Sequence, residues 1–176
     1  MDEEKVIVFD PHDCTGCMRC ATTCSTYNMG ATSLTKSCIH LARHEGHAIT
    51  HIDEAEDLVF QALTCQQCEV PVCQKVCPSG AIERNRSTGA ITVNHDRCIR
   101  CKMCIDACPF GAILYNPNKR QVMKCELCGG DPQCVKFCPT GALQFVPKRL
   151  AHLPKRGRLA KRMTQPEAKV RGPSPI

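Results

Sequence analysis

Sixteen of the 17 cysteines in this 176-residue chain fall into four short runs, and any fold must find a use for them. Cys14, Cys17, Cys20 and Cys24 are spaced C-x2-C-x2-C-x3-C, and Cys98, Cys101, Cys104 and Cys108 repeat that spacing. Cys65, Cys68, Cys73 and Cys77 widen the middle gap to four residues, and Cys125, Cys128, Cys134 and Cys138 widen it to five. Only Cys38 stands apart. With no Trp, five Phe and two Tyr, the chain has a thin apolar core. Small domains in that position are held by disulfides or by metals.

The acidic opening "MDEEKVIVFD" has none of the basic and apolar regions of a secretory signal, and no long apolar run offers a membrane span. The expected setting is cytoplasmic, where clustered cysteines ordinarily ligate metal. An odd cysteine count also fits poorly with complete disulfide pairing.

Two residues between cysteines let one loop wrap a corner of an iron–sulfur cubane, so three thiolates reach three irons. The fourth cysteine, three residues on, leaves on a helical turn; in two-cluster ferredoxins it binds the other cluster. A proline after it suits that break. Pro78, Pro109 and Pro139 supply one in runs two, three and four, whereas run one has Ser25. The repeat continues as "CPSGAI", "CPFGAI" and "CPTGAL", with Gly80, Gly111 and Gly141 placed for a tight turn. Upstream, "IVFDPHDC" before Cys14 resembles "ITVNHDRC" before Cys98, and each predicts a short strand and a polar turn leading into the loop. Zinc ribbons also use C-x2-C pairs, but they need no third close cysteine and no trailing proline. The spacing favours iron–sulfur ligation by all sixteen.

From Val6 to about Val146 the chain resembles the bacterial polyferredoxin family, the four-cluster electron-transfer subunits of molybdenum, tungsten and related redox enzymes. The resemblance implies an α+β fold of two interleaved ferredoxin-like modules organised around four [4Fe–4S] clusters. It also implies nested pairing, run one with run four and run two with run three. Carried over, cluster one takes Cys14, Cys17, Cys20 and Cys138, and cluster two takes Cys125, Cys128, Cys134 and Cys24. Cluster three takes Cys98, Cys101, Cys104 and Cys77, and cluster four takes Cys65, Cys68, Cys73 and Cys108.

The net charge of +6 misleads. Residues 1–147 carry 14 Lys and Arg against 16 Asp and Glu, and each oxidised cubane with its thiolates adds about −2. Residues 148–176 hold nine basic residues against Glu167 and read as a Pro-rich tail beside an acidic body. The domain expectation is therefore residues 1–147 for the four clusters and 148–176 for the tail, which could dock on a partner. Cys38 reads as a small buried residue rather than a ligand. His40, His44, His47 and His51 would share a face on a helix, but the flanking isoleucines read at least as well as two strands about a Gly-containing turn.

No GxGxxG, P-loop or Ser/His/Asp grouping stands out, so no substrate chemistry is expected of this chain. The expected function is a relay of single electrons between a large molybdenum- or tungsten-containing catalytic subunit and another redox partner, a flavoprotein or ferredoxin. Among relatives the resemblance is greatest to the small subunit of tungsten-dependent aldehyde oxidoreductases. A formate dehydrogenase, hydrogenase or benzoyl-CoA reductase-type complex and a free-standing polyferredoxin are alternatives, as is a zinc-binding nucleic-acid module. Self-association end to end would extend the relay; neither nucleic-acid binding nor a membrane span is expected.

Overall fold

The computed structural model describes residues 4–45 and 58–153. Their strands form four separate two-stranded antiparallel ribbons. Strand β1 (Lys5–Phe9) pairs with β8 (Leu143–Pro147), Lys5 lying opposite Pro147 and Phe9 opposite Leu143. The ribbon joins the two ends of the cysteine-bearing region, and Ile7 and Leu143 turn inward from it. Strands β4 (Ile82–Arg84) and β5 (Ile91–Val93) form one hairpin, and β6 (Ile113–Asn116) and β7 (Gln121–Lys124) another.

The expected strand-to-loop entries are present before Cys14 and Cys98. Asp10 Oδ1 accepts the His12 N–H at 3.0 Å, and Asn94 Oδ1 accepts the Asp96 N–H at the same distance. Each carboxyl or amide folds back on the chain and turns it into the cysteine loop. Asn85 and Asn116 use the same device to close the two hairpins.

Each cysteine run also carries a helix. Helix α1 spans Arg19–Met29, while α2 (Val72–Lys75), α3 (Met103–Asp106) and α4 (Gln133–Lys136) are single turns. The difference lies at one position. Pro78, Pro109 and Pro139 follow the fourth cysteine and cannot donate to a continuing helix. Ser25 can, and it is fully buried, donating to Thr22 O at 2.9 Å and accepting the Ser33 N–H at 3.0 Å.

Helix α1 packs on α4, and α2 on α3. A first core, including Ile7, Ala21, Ile39, Leu127 and Leu143, thus joins elements from both ends of the chain. A second, built on Ile82, Ile91, Ile113 and Val122, joins elements from its middle. Cysteines pack into both, so neither core is closed by hydrocarbon alone.

Where it is described, the histidine segment takes the strand reading rather than the helical one. His40 and His44 lie in strand β2 (His40–Glu45), paired with β3 (Leu58–Leu63), so no helical face unites them. Ile49 and Ile52, with His47 and His51, lie outside the described residues. The basic stretch from 148 begins with a 3-10 turn, Lys148–Leu150, whose Lys148 N–H bonds Glu4 O at 2.9 Å. Residues 154–176 lie outside the described residues.

Candidate metal centres

The structure brings three cysteines of one run together with the fourth of another. Cys77, Cys98, Cys101 and Cys104 line one cavity, and Cys65, Cys68, Cys73 and Cys108 line a second. The other two groups are visible in how the thiols act on one another. Burial pushes Cys20 up to about 11, and Cys14, Cys17 and Cys138 push it the same way. Burial likewise raises Cys134, with Cys125, Cys24, Cys128 and, from the neighbouring group, Cys20 adding to it.

Burial also lifts Cys104 and Cys125 to about 11. The raised values describe thiols crowded with other thiols in a half-dry space. Such an arrangement is unfavourable as a set of free anions, but bound metal deprotonates a thiol outright.

The backbone prepares the opposite effect at selected sulfurs. The residue before the second cysteine of every run is left-handed: Gly16 (φ 69), Gln67 (φ 47), Arg100 (φ 63) and Leu127 (φ 60). In that conformation the Gly16 and Leu127 N–H groups turn back onto Cys14 and Cys125. Sequence offered no signal for it at the three positions that are not glycine. Holding such residues left-handed costs about 1–3 kcal/mol each, so something in the loop must repay it.

The "CP-x-GA" turns perform a related task. Gly80, Gly111 and Gly141 take the expected positive φ, and the Ala81 N–H donates to Cys77 Sγ at 3.3 Å. Ser79 Oγ lies 3.7 Å from Cys77 Sγ, and Thr140 Oγ1 lies 3.8 Å from Cys138 Sγ. Burial opposes ionisation of both thiols, yet these hydroxyls and the surrounding N–H groups outweigh it and lower each one. Phe110 fills the hydroxyl position in run three.

Cys24 follows a different route to the same end. Cys38, 6% exposed, hydrogen-bonds its sulfur and lowers it to about 6, with Asn28 Nδ2 also donating, at 3.5 Å. Cys38 itself is raised, because its proton serves Cys24. It stands beside the second group as a donor, a role that no spacing in the sequence marks. His40 Nε2 is buried with no partner among the described residues.

Among the described residues no three His, Cys, Asp or Glu side chains converge closely enough for one metal ion. Soft sulfur donors in fours, lining spaces rather than points, fit a polynuclear iron–sulfur centre. A model of a 4Fe-4S dicluster domain matches residues 56–148, and a 4Fe-4S binding domain matches residues 11–27. The chain belongs to the 4Fe-4S dicluster family. It is 34% identical over 129 residues to the NADH-dependent phenylglyoxylate dehydrogenase subunit beta of Aromatoleum evansii, covering 73% of this chain but 27% of that one. It is 34% identical over 148 residues to the B subunit of the anaerobic dimethyl sulfoxide reductase of Escherichia coli (strain K12), covering 78% of this chain and 71% of the relative. The ferredoxin-like protein YdhY of the same strain is 38% identical over 123 residues, 68% of this chain and 59% of that one. A subunit in the solved active-site complex BamBC of benzoyl coenzyme A reductase aligns over 93% of this chain and 99% of its own, at 19% identity and a TM-score of 0.44. That likeness is too low to bear on function. No helix among the described residues is long and apolar enough to cross a membrane.

Proposed function

We propose that this 4Fe-4S dicluster protein is a non-catalytic electron-transfer subunit that holds four [4Fe–4S] clusters for an oxidoreductase complex. Each group of four thiols holds one cluster, with Cys24, Cys77, Cys108 and Cys138 crossing from one run to the cluster of another. Bound in these groups, the clusters supply one-electron chemistry with little rearrangement.

The order of the groups carries the reading. Cys20 of the first lies near Cys134 of the second, and Cys65 of the fourth lies near Cys125 of the second. Cys104 and Cys108 share one helical turn and join the third to the fourth. The groups therefore run first, second, fourth, third. Cys17 and Cys101, exposed at the two ends, are where electrons enter and leave. A series open at both ends suits a subunit between two partners.

The catalytic partner in this reading is a molybdenum- or tungsten-containing subunit, with tungsten-dependent aldehyde oxidoreductase as the class drawn from the sequence resemblance. Relatives named as subunits of dimethyl sulfoxide reductase and phenylglyoxylate dehydrogenase support an oxidoreductase complex of some kind. Anaerobic purification under gentle salt tests it. The expected preparation holds about sixteen irons per chain, a dithionite-bleachable absorption at about 400 nm and a large tungsten- or molybdenum-bearing companion. Zinc without a bleachable chromophore would overturn the function; iron without a companion would overturn the assignment to a complex.

A further inference from the structure

Lys124 ends strand β7, 7% exposed, at the point where the second and fourth thiol groups approach each other. Its Nζ donates to the carbonyls of Ile91 and Cys125, the latter at 2.9 Å. Gln67, 2% exposed, bonds the same two residues. Its Oε1 accepts the Ile91 N–H at 2.8 Å, and its Nε2 donates to Cys125 O at 3.0 Å. Four hydrogen bonds thus tie the loop of run two, strand β5 and the start of run four into one buried node.

The node is hydrogen-bonded but not neutral. Carbonyl oxygens solvate an ammonium without cancelling its charge, and among the described residues no carboxylate pairs with Lys124. A buried charge left uncompensated costs several kcal/mol. The negative groups within reach are sulfurs: Lys124 acts on Cys73 in the fourth group and on Cys125 in the second, and it lines the fourth group's cavity.

We infer that Lys124 is a positioning residue whose charge, held by Gln67 and two backbone carbonyls, raises the reduction potentials of the two inner clusters and joins them as one electron-transfer junction. The inference rests on the four-cluster reading. An electron passing the junction oxidises one inner cluster by one unit and reduces the other by one, so the charge of the pair is conserved. The ammonium serves both because it lies between them. A reduced cubane with its thiolates carries about one more negative charge than an oxidised one, so a fixed cation favours reduction.

The test is an anaerobic redox titration of the holoprotein, followed by low-temperature electron paramagnetic resonance with iron counted in each sample. Wild-type protein without iron–sulfur signals would end the four-cluster reading before any variant is compared. Given that wild type carries all four, Lys124→Gln at full iron content should lower two potentials and leave the other two in place. The expected change is about tenfold in each affected reduction equilibrium, equivalent to about 59 mV for one electron. Lys124→Arg should restore both. Gln67→Glu sets a carboxylate beside the ammonium and should lower the same two. Four unmoved potentials in every variant that keeps its iron would overturn the inference. Loss of iron in all of them would also overturn it, leaving Lys124 a folding residue with no shown effect on potential.

Discussion

The ring of Phe60 lies over Gly16, so close that a β-carbon on Gly16 would stand 2.1 Å from the Phe60 Cζ. Strand β3 thus closes over the first cysteine loop, and Gly16 satisfies a left-handed backbone and a steric limit at once. Gly16→Ala meets both costs, together about 2–6 kcal/mol. The expected result is earlier thermal loss of iron–sulfur absorption than in wild type. Gly111→Ala, with nothing within 4 Å of the added carbon, should show the smaller backbone cost alone.

The nested grouping of thiols predicts which loop suffers when a crossing cysteine is removed. Cys138→Ala should expose Cys14, Cys17 and Cys20 of run one to alkylation while Cys125, Cys128 and Cys134 stay protected, although the latter are its nearer neighbours in sequence. Mass spectrometry after anaerobic alkylation reads this directly. Iron should fall from about sixteen atoms per chain by up to one cluster's worth. Cys38→Ala should keep its iron, because Cys38 donates to Cys24 rather than binding metal.

Sequence revealed the thiols and their local turns more fully than the contacts around them. The repeated spacing, the "CP-x-GA" turns and the entries at Asp10 and Asn94 are short-range, so their physics lies within a few residues. The pairing of Val6 with Val146 is long-range, and no local pattern in the sequence marks it. Left-handed Gln67, Arg100 and Leu127 carry no sequence mark, since their strain is repaid by the loop rather than by the residue type. Lys124 read as one charge among many; only burial and the carbonyls of Ile91 and Cys125 set it apart. The histidine spacing fits a helical face by arithmetic, but pairing of His40 with Leu63 across β2 and β3 decided otherwise.

Acidity should control cluster assembly. Burial lifts Cys20, Cys104 and Cys125 to about 11, so near pH 7 these thiols are protonated and each must lose a proton to bind iron. Metal affinity therefore rises as pH is raised toward those values. Cys24, lowered to about 6 chiefly by Cys38, is already a thiolate at neutral pH and adds nothing to that slope. Anaerobic reconstitution with iron and sulfide, followed between about pH 6.5 and 9, should show cluster yield climbing with pH and protons released on binding. A flat yield would contradict the burial of these thiols.

Removal of the metal should unfold the protein rather than empty it. The two cores contain few large hydrocarbons, and Cys104 and Cys134 stand among their buried members. Each left-handed loop residue costs energy that side-chain packing does not return. The loop closed by Cys138 onto run one also spans runs two and three, so bound metal would hold together segments that a small core cannot. Chelation under reducing conditions should therefore abolish cooperative thermal unfolding and expose the amides of Val8 and Val146 to rapid hydrogen exchange. Those amides belong to the ribbon that joins the chain's two ends, and their protection reports whether the ends are still together. An apoprotein that keeps that protection would show that β1 and β8 hold without the metal and that the cysteines add function to a fold already stable.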